Sequence, residues 1–219
     1  MINSNNHKLA LCGWLKENNP KEYSTPLKLQ KFLLFYELFS KFSNESIDFS
    51  FLRGYKRGPV FSDVWGDYTK EKNLFNKRAL QEYKNPENNL NNERARHCAF
   101  IVQILSDNDL SNFTHKLNLW NSKRERIDRG EKQVSLNIED FNKDDEEKIK
   151  LLMEMYPLNL IENSEVVEVD NHFFIFSKED YKKFTSEHYD VLCSVVQADK
   201  ELQNPIYVEI DKNGRLLID

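Results

Sequence analysis

Hydrophobic positions recur along this chain with two different periods, and the change falls near residue 162. In the first part the spacing is three to four residues, that of helices with an inward face. Leu9, Leu11, Cys12 and Leu15 predict a short amphipathic helix that stops in the turn-forming Asn18-Asn19-Pro20. Pro26 opens a more apolar segment. Its ring presets φ for the first helical position, where its missing N–H would be unpaired anyway, with Thr25 as the cap. Wound at about 100° per residue, this helix gathers Gln30, Glu37, Ser40 and Lys41 on one narrow side. Leu29, Phe32, Phe35, Tyr36, Leu38, Phe39 and Phe42 spread over most of the rest, an arc wide enough to predict burial on several sides.

A loop is expected from Asn44 to Asp48. Phe49, Phe51 and Tyr55 then suggest a short strand or an extended approach to a tight corner at Gly58-Pro59, where glycine tolerates the backbone that proline imposes on its predecessor. Val60 or Phe61, Val64, Trp65 and Tyr68 return at helical spacing, with Gly66 inside the pattern. Residues Lys70 to Asn92 read as polar surface loop with one short helix near Lys77 to Tyr83. Ala95, Cys98, Ala99, Val102 and Leu105 predict a further helix; Leu110, Phe113, Thr114 and Leu117 another. Ile149, Leu152, Met153 and Tyr156 predict the last of the set, ended by Pro157.

From about Glu162 the period is two. Val167 and Val169 alternate up to Asp170-Asn171 and Phe173 to Phe176 follow, a tight hairpin. Ile206, Val208 and Ile210 lead into Asn213-Gly214, a short-hairpin signal in which both central residues take positive φ, and Leu216 to Ile218 return. Between the hairpins, Ser177 with Asp180 forms a capping box for one helix carrying Tyr181, Phe184, His188, Val191, Leu192 and Val195. The expectation is an α+β chain: a mainly helical domain over residues 1–160 and a ββαββ extension over 161–219.

Composition narrows the chemistry. The 31 basic and 36 acidic side chains leave a formal charge of −5, which speaks against nucleic acid as the general partner. Cys12, Cys98 and Cys193 are odd in number, widely spaced and on apolar faces, so they read as packed thiols in a reduced, cytoplasmic setting. The Asn-rich stretch Met1 to His7 has no hydrophobic signal segment, and no apolar run approaches the length of a membrane span. Neither His97 beside Cys98 nor His172 and His188 have metal-ligand spacing, and Gly54, Gly58 and Gly66 make no phosphate loop; no metal or cofactor is expected. His115 next to Thr114 is the residue a hydrolase or nuclease would use. The sequence offers it no nucleophile, and a hydrogen-bonded structural histidine is the favoured reading.

Three separated segments carry a resemblance. Leu27-Lys28-Leu29-Gln30-Lys31-Phe32-Leu33, then Gly58-Pro59-Val60, then Leu110 with Thr114-His115 and Trp120, resemble in order the motifs of the Panacea (SocA-like) antitoxin domain. The match spans roughly residues 8 to 156 and departs where Leu119 stands for the family's usual proline and where the aromatic before the glycine is displaced to Tyr55. The resemblance implies a phage- or prophage-associated antitoxin. It would neutralise a cognate toxin protein by direct binding, with delivery to a protease as a further element, and would not be an enzyme. Leu29, Gln30, Lys31, Gly58, Pro59, Val60, Thr114, His115 and Trp120 are the motif residues. The alternative partner is a host defence protein inhibited by a phage-encoded binder.

Two basic groups are candidate partner contacts. Arg53, Lys56 and Arg57 flank the Gly-Pro corner, and Lys123, Arg124, Arg126 and Arg129 make a basic run close to Trp120, arginine beside an aromatic being a composition that interface hot spots favour. The bland counterpart of the second group is a solvated face balanced by Glu125, Asp128 and Glu131. The ββαββ extension is either a cap on the helical domain or the part that recognises the partner through a sheet edge.

Overall fold

The computed structural model describes residues 1–43, 45–199 and 202–219; Asn44, at the start of the expected loop, lies outside them. It opens with α1 (Asn6–Asn18), α2 (Pro20–Ser24) and α3 (Pro26–Phe42). Pro20 and Pro26 each sit in the first turn of their helix, as the missing N–H allows. Thr25 precedes α3 but does not cap it with its side chain; its hydroxyl turns back to the Lys21 carbonyl at 3.3 Å. Every residue of α3 from Lys28 to Ser40 is buried. The polar side of the helix goes inside with the apolar arc because each member finds a partner there. Gln30 Oε1 accepts from Phe61 N–H at 2.8 Å, Glu37 Oε2 from Asp48 N–H at 2.8 Å, and Ser40 Oγ from Arg94 Nη1 at 2.7 Å. Left unpaired, each such group would cost about 1–3 kcal/mol.

The short helix expected near Lys77 to Tyr83 is longer than expected and belongs to the core. α4 (Ser62–Lys70) is followed by α5 (Lys72–Tyr83), whose Phe75 and Ala79 are fully buried, and then by α6 (Asn92–Ile104). α5 lies so close on α1 that a Cβ on Gly13 would sit 2.2 Å from the Ala79 carbonyl oxygen. It covers the face of α1 that amphipathic spacing leaves to solvent, so Lys8 through Leu15 are all buried. Two anchors four residues apart, set among lysines and asparagines, make too faint a period to announce a helix of this length.

The corner is also different. β1 (Leu52–Tyr55) pairs antiparallel with β2 (Gly58–Phe61), so Gly58-Pro59-Val60-Phe61 is a strand and the turn falls at Lys56-Arg57. Leu52 opposes Phe61, both fully buried, while Phe51 is exposed at φ 62° and Tyr55 is half-buried. The inward parity is thus that of Leu52 and Gly54, opposite to the one expected from the aromatics. β3 (Val134–Ser135) adds to the outer edge of β1.

Next come α7 (Asp107–His115), α8 (Asn118–Asn121), α9 (Arg124–Asp128), α10 (Lys143–Met155) and α11 (Leu158–Glu162). Asp145 of α10 is fully buried and caps the short α8: its oxygens accept from Asn118 N–H at 2.6 Å and Leu119 N–H at 2.9 Å. A carboxylate is favoured there, since the first N–H groups of a helix have no partner within it.

The remaining elements are β4 (Ser164–Val169), β5 (His172–Ser177), α12 (Lys178–Tyr181), α13 (Ser186–Ala198), β6 (Ile206–Ile210) and β7 (Leu216–Ile218). The sheet order is β4-β5-β6-β7 with β5 and β6 parallel, which is the expected ββαββ arrangement. Asp170 and Asn171 both take positive φ at the first hairpin. In the second, Gly214 does at 76° and Asn213 does not, and Gly214 N–H donates to the Asp211 carbonyl. The single helix expected from Tyr181 to Val195 is two, because Thr185 and His188 form a capping box that starts α13 afresh. Alternation along β5 gives the sheet two buried faces. Phe174 and Phe176 pack under α13 with Leu192, Ile206 and Val208, while Phe173 and Ile175 join the core of the helical part. The chain is therefore α+β and mainly helical, with two small sheets. Among the described residues no helix is long and apolar enough to cross a membrane.

Phe75→Ala is expected to cost about 3–5 kcal/mol of unfolding free energy, the range for truncating a buried aromatic. Asp145→Ala is expected to cost about 1–3 kcal/mol for the orphaned N–H groups of α8. Urea denaturation reads both, and a loss below about 1 kcal/mol for Phe75→Ala would mean that α5 is not docked as described.

Candidate functional site

The first turns of α3 and the β1–β2 hairpin do not close on each other. Between them runs a cleft of about 580 Å³. Pro26, Leu27, Gln30 and Lys31 supply one wall; Tyr55, Lys56, Arg57, Pro59 and Val60 supply the other. Trp65 of α4 and Asp107 at the start of α7 complete the rim. Trp65 was expected to pack as a helix-spaced apolar residue, yet it is 39% exposed at the mouth of the cleft. Arg57 reaches across to Asp107 at 3.4 Å.

Lys31 stands at the inner end and is 1% exposed. Its Nζ donates to Thr114 Oγ1 at 2.9 Å and to the Arg57 carbonyl at 3.1 Å. Thr114 can accept because its own hydroxyl donates back along α7, towards Leu110 O at 3.0 Å and Ser111 O at 3.1 Å. Both partners of the lysine are neutral. Burial therefore pulls its pKa down to about 7, the nearby Arg57 pulls the same way, and Asp107 opposes them. Gly58 makes the arrangement possible. At φ +105° it sits where side chains are strained, and an added Cβ would fall 2.3 Å from Lys31 Nζ and 2.7 Å from Thr114 Oγ1.

The turn is braced from behind. Trp120 Nε1 donates to the Tyr55 carbonyl at 2.9 Å, and the indole stacks on His115 with ring centres 4.0 Å apart. Burial lowers the His115 pKa, the positive charges of Lys31 and Arg124 lower it further, and a hydrogen bond with the Lys56 backbone opposes them. The His115 Nε2 is buried without a hydrogen-bond partner. The ring is held by its hydrogen bond with the Lys56 backbone and by the stacked indole. Among the described residues no group of three or more His, Cys, Asp or Glu side chains is placed to hold a metal ion.

Of the remaining motif residues, Leu29 is buried in the core, while Gln30 ties α3 to β2 through Phe61 and also lines the cleft. The basic candidates separate. Lys56 and Arg57 border the cleft, whereas Arg53 donates to Ser135 Oγ at 2.8 Å on β3. Lys123 pairs with Asp140 at 2.6 Å, Arg124 with Asp128 at 3.4 Å, Arg129 with Glu125 at 3.3 Å, and Arg126 with Glu131 through two hydrogen bonds. The run on and around α9 is thus matched base for acid. Asp107 carried no signal beyond a helix break, since its role depends on where α7 starts in space.

Lys31 sets a pH dependence whose sign can be worked out. The unfolded side chain holds its proton up to about 10.5, and the folded one releases it above about 7. Between those values the unfolded state binds more protons, so the cost of burying the charged amine is felt in full below about 7 and is relieved as pH rises. Unfolding free energy is expected to climb between about pH 7 and pH 9, by at most ~1.4 kcal/mol per unit, and the Lys31→Met variant is expected to lose that slope. Parallel profiles in urea melts would show that Lys31 is not buried as a near-neutral amine. Gly58→Ala is expected to destabilise by about 1–3 kcal/mol through backbone strain and overpacking, read by the same melts.

Comparison of the chain with protein-family models, with curated proteins and with solved structures finds no match.

Proposed function

We propose that this chain is a non-enzymatic binding protein of the antitoxin kind, which neutralises a cognate toxin protein in the cytoplasm by holding it at the α3–hairpin cleft. One observation carries the reading. The three segments that resemble Panacea motifs lie up to about ninety residues apart in sequence, near Lys31, Gly58 and Trp120, and they meet around a single turn. They support that turn, and the turn forms one wall of the cleft. A structural core would not require the space beside it to stay open.

The lining suits a protein segment. Leu27, Pro59 and Val60 offer apolar contact, and Trp65 and Arg57 stand at the mouth, residue types enriched where interfaces concentrate their binding energy. The acid-matched surface of α9 has less to offer, since exposed pairs are already satisfied and exchange little on binding.

Co-expression with the product of the neighbouring gene, scored by growth rescue and co-purification, tests the reading. Rescue and a stable complex are expected. Trp65→Ala with Arg57→Ala is expected to weaken the complex about ten-fold or more, each decade being about 1.4 kcal/mol. Arg129→Ala is expected to leave it within two-fold, on the order of the error of such measurements. No rescue and no complex, or a complex indifferent to the cleft variants, would count against it.

A further inference from the structure

Among the described residues Lys31 has no ion-pair partner within bonding distance. An ammonium has three donors; two are used, on Thr114 Oγ1 and the Arg57 carbonyl, and neither acceptor is charged. The third hydrogen has no bonded partner among the described residues, and Lys31 is one of the residues that line the cleft. The charged groups that face it are few. Arg57 on the hairpin repels it, as does His115 on α7 when protonated, while Asp107 at the start of α7 attracts it from the rim, where it is engaged with Arg57. Burying a cation with only neutral partners is costly, and an anion that enters the same low-dielectric space removes the cost. Lys8, also 1% exposed, shows the contrast: it lies 3.3 Å from Asp63 and 3.3 Å from Asp48.

We propose that the cleft receives a carboxylate: its occupant is an apolar peptide segment of the bound partner whose carboxylate, at a side chain or a chain end, pairs with Lys31 Nζ while the flanking side chains lie against Val60, Pro59 and Trp65. This rests on the reading of the cleft as the protein-binding site. A segment fits better than a lone small acid for two reasons. The volume of about 580 Å³ exceeds that of any single side chain, and the rim carries a half-exposed tryptophan beside an arginine, a surface built to continue outward. Because the free amine is near neutrality at pH 7, capture of a carboxylate takes up a proton, and affinity falls as the pH rises above that point.

The test uses the full chain and probes that differ in one group. Ac-Leu-Phe with a free or an amidated C-terminus, Ac-Phe-Glu-NH2 against Ac-Phe-Gln-NH2, and 3-phenylpropionate against its amide are titrated while the Trp65 indole N–H is followed by NMR. Each peptide acid is expected to bind about ten-fold or more tighter than its amide. The preference is expected to vanish in Lys31→Met, and to shrink in the wild type between about pH 6 and pH 9. The wild-type pH series stands even if the variant fails to fold. Equal binding of acids and amides, no binding of any probe, or a preference that survives in Lys31→Met overturns the proposal. 3-Phenylpropionate binding as tightly as the peptides would make this a small-acid site and overturn the peptide assignment. The two readings fail differently. If the cleft binds the partner without a carboxylate, Trp65→Ala weakens the complex and Lys31→Met does not. If the partner binds elsewhere, neither variant affects the complex whatever the probes do.

Discussion

A helix buried on every side must find an internal partner for each polar side chain it carries, and α3 meets that constraint by recruiting most of the molecule. Lys28 donates to the Gln103 carbonyl at the end of α6 and lies 4.5 Å from the centre of the Phe173 ring on β5. Gln30 holds β2, Lys31 holds both the hairpin turn and α7, Glu37 holds the loop at Asp48, and Ser40 holds Arg94, which itself forks onto Glu45. The bonds reach α6, the β1–β2 hairpin, α7 and the loop at Asp48. The polar residues of α3 therefore fix where the surrounding elements dock, while the apolar ones supply the drive to dock at all.

The hairpin shows how far this reaches. Its turn is gripped from the inside by Lys31 and from the outside by Trp120, whose helix α8 is in turn capped by Asp145 from α10. Residues from three separate parts of the chain thus set the position of Tyr55 to Gly58. Such a turn is rigid without being packed over on its cleft side, which is what a pre-organised binding surface needs.

Legibility followed the strength of the local signal. Ile206-Val208-Ile210 announced its strand because burial on one face writes a period of two directly into the residues, and Val167 and Val169 before Asp170-Asn171 showed the same alternation. The all-round burial of α3 was legible for the same reason. What escaped notice is decided by neighbours. α5 touches the core through Phe75 and Ala79, and its fit depends on Gly13 some sixty residues earlier. Phe51 looked like a strand residue until a left-handed backbone turned Leu52 inward instead. The motif residues of the site could be named from the sequence, but the cleft could not, since Trp65 and Asp107 enter it only through the placement of α4 and α7.

Two ionisable groups of α3 share a peculiarity, and the difference between them bears on function. Glu37 and Lys31 are both buried, both are shifted to about 7, and both hydrogen-bond to backbone groups. Glu37 has a titratable neighbour: His7 lies 3.7 Å from its otherwise unpartnered Oε1. Among the described residues Lys31 has no such charged partner at bonding distance, and it lines the cleft. Folding uses the amine to tie the hairpin turn to α7, but at a desolvation cost that a methionine of similar length would not carry. A residue that costs stability and borders a cleft is where a local rule yields to a ligand.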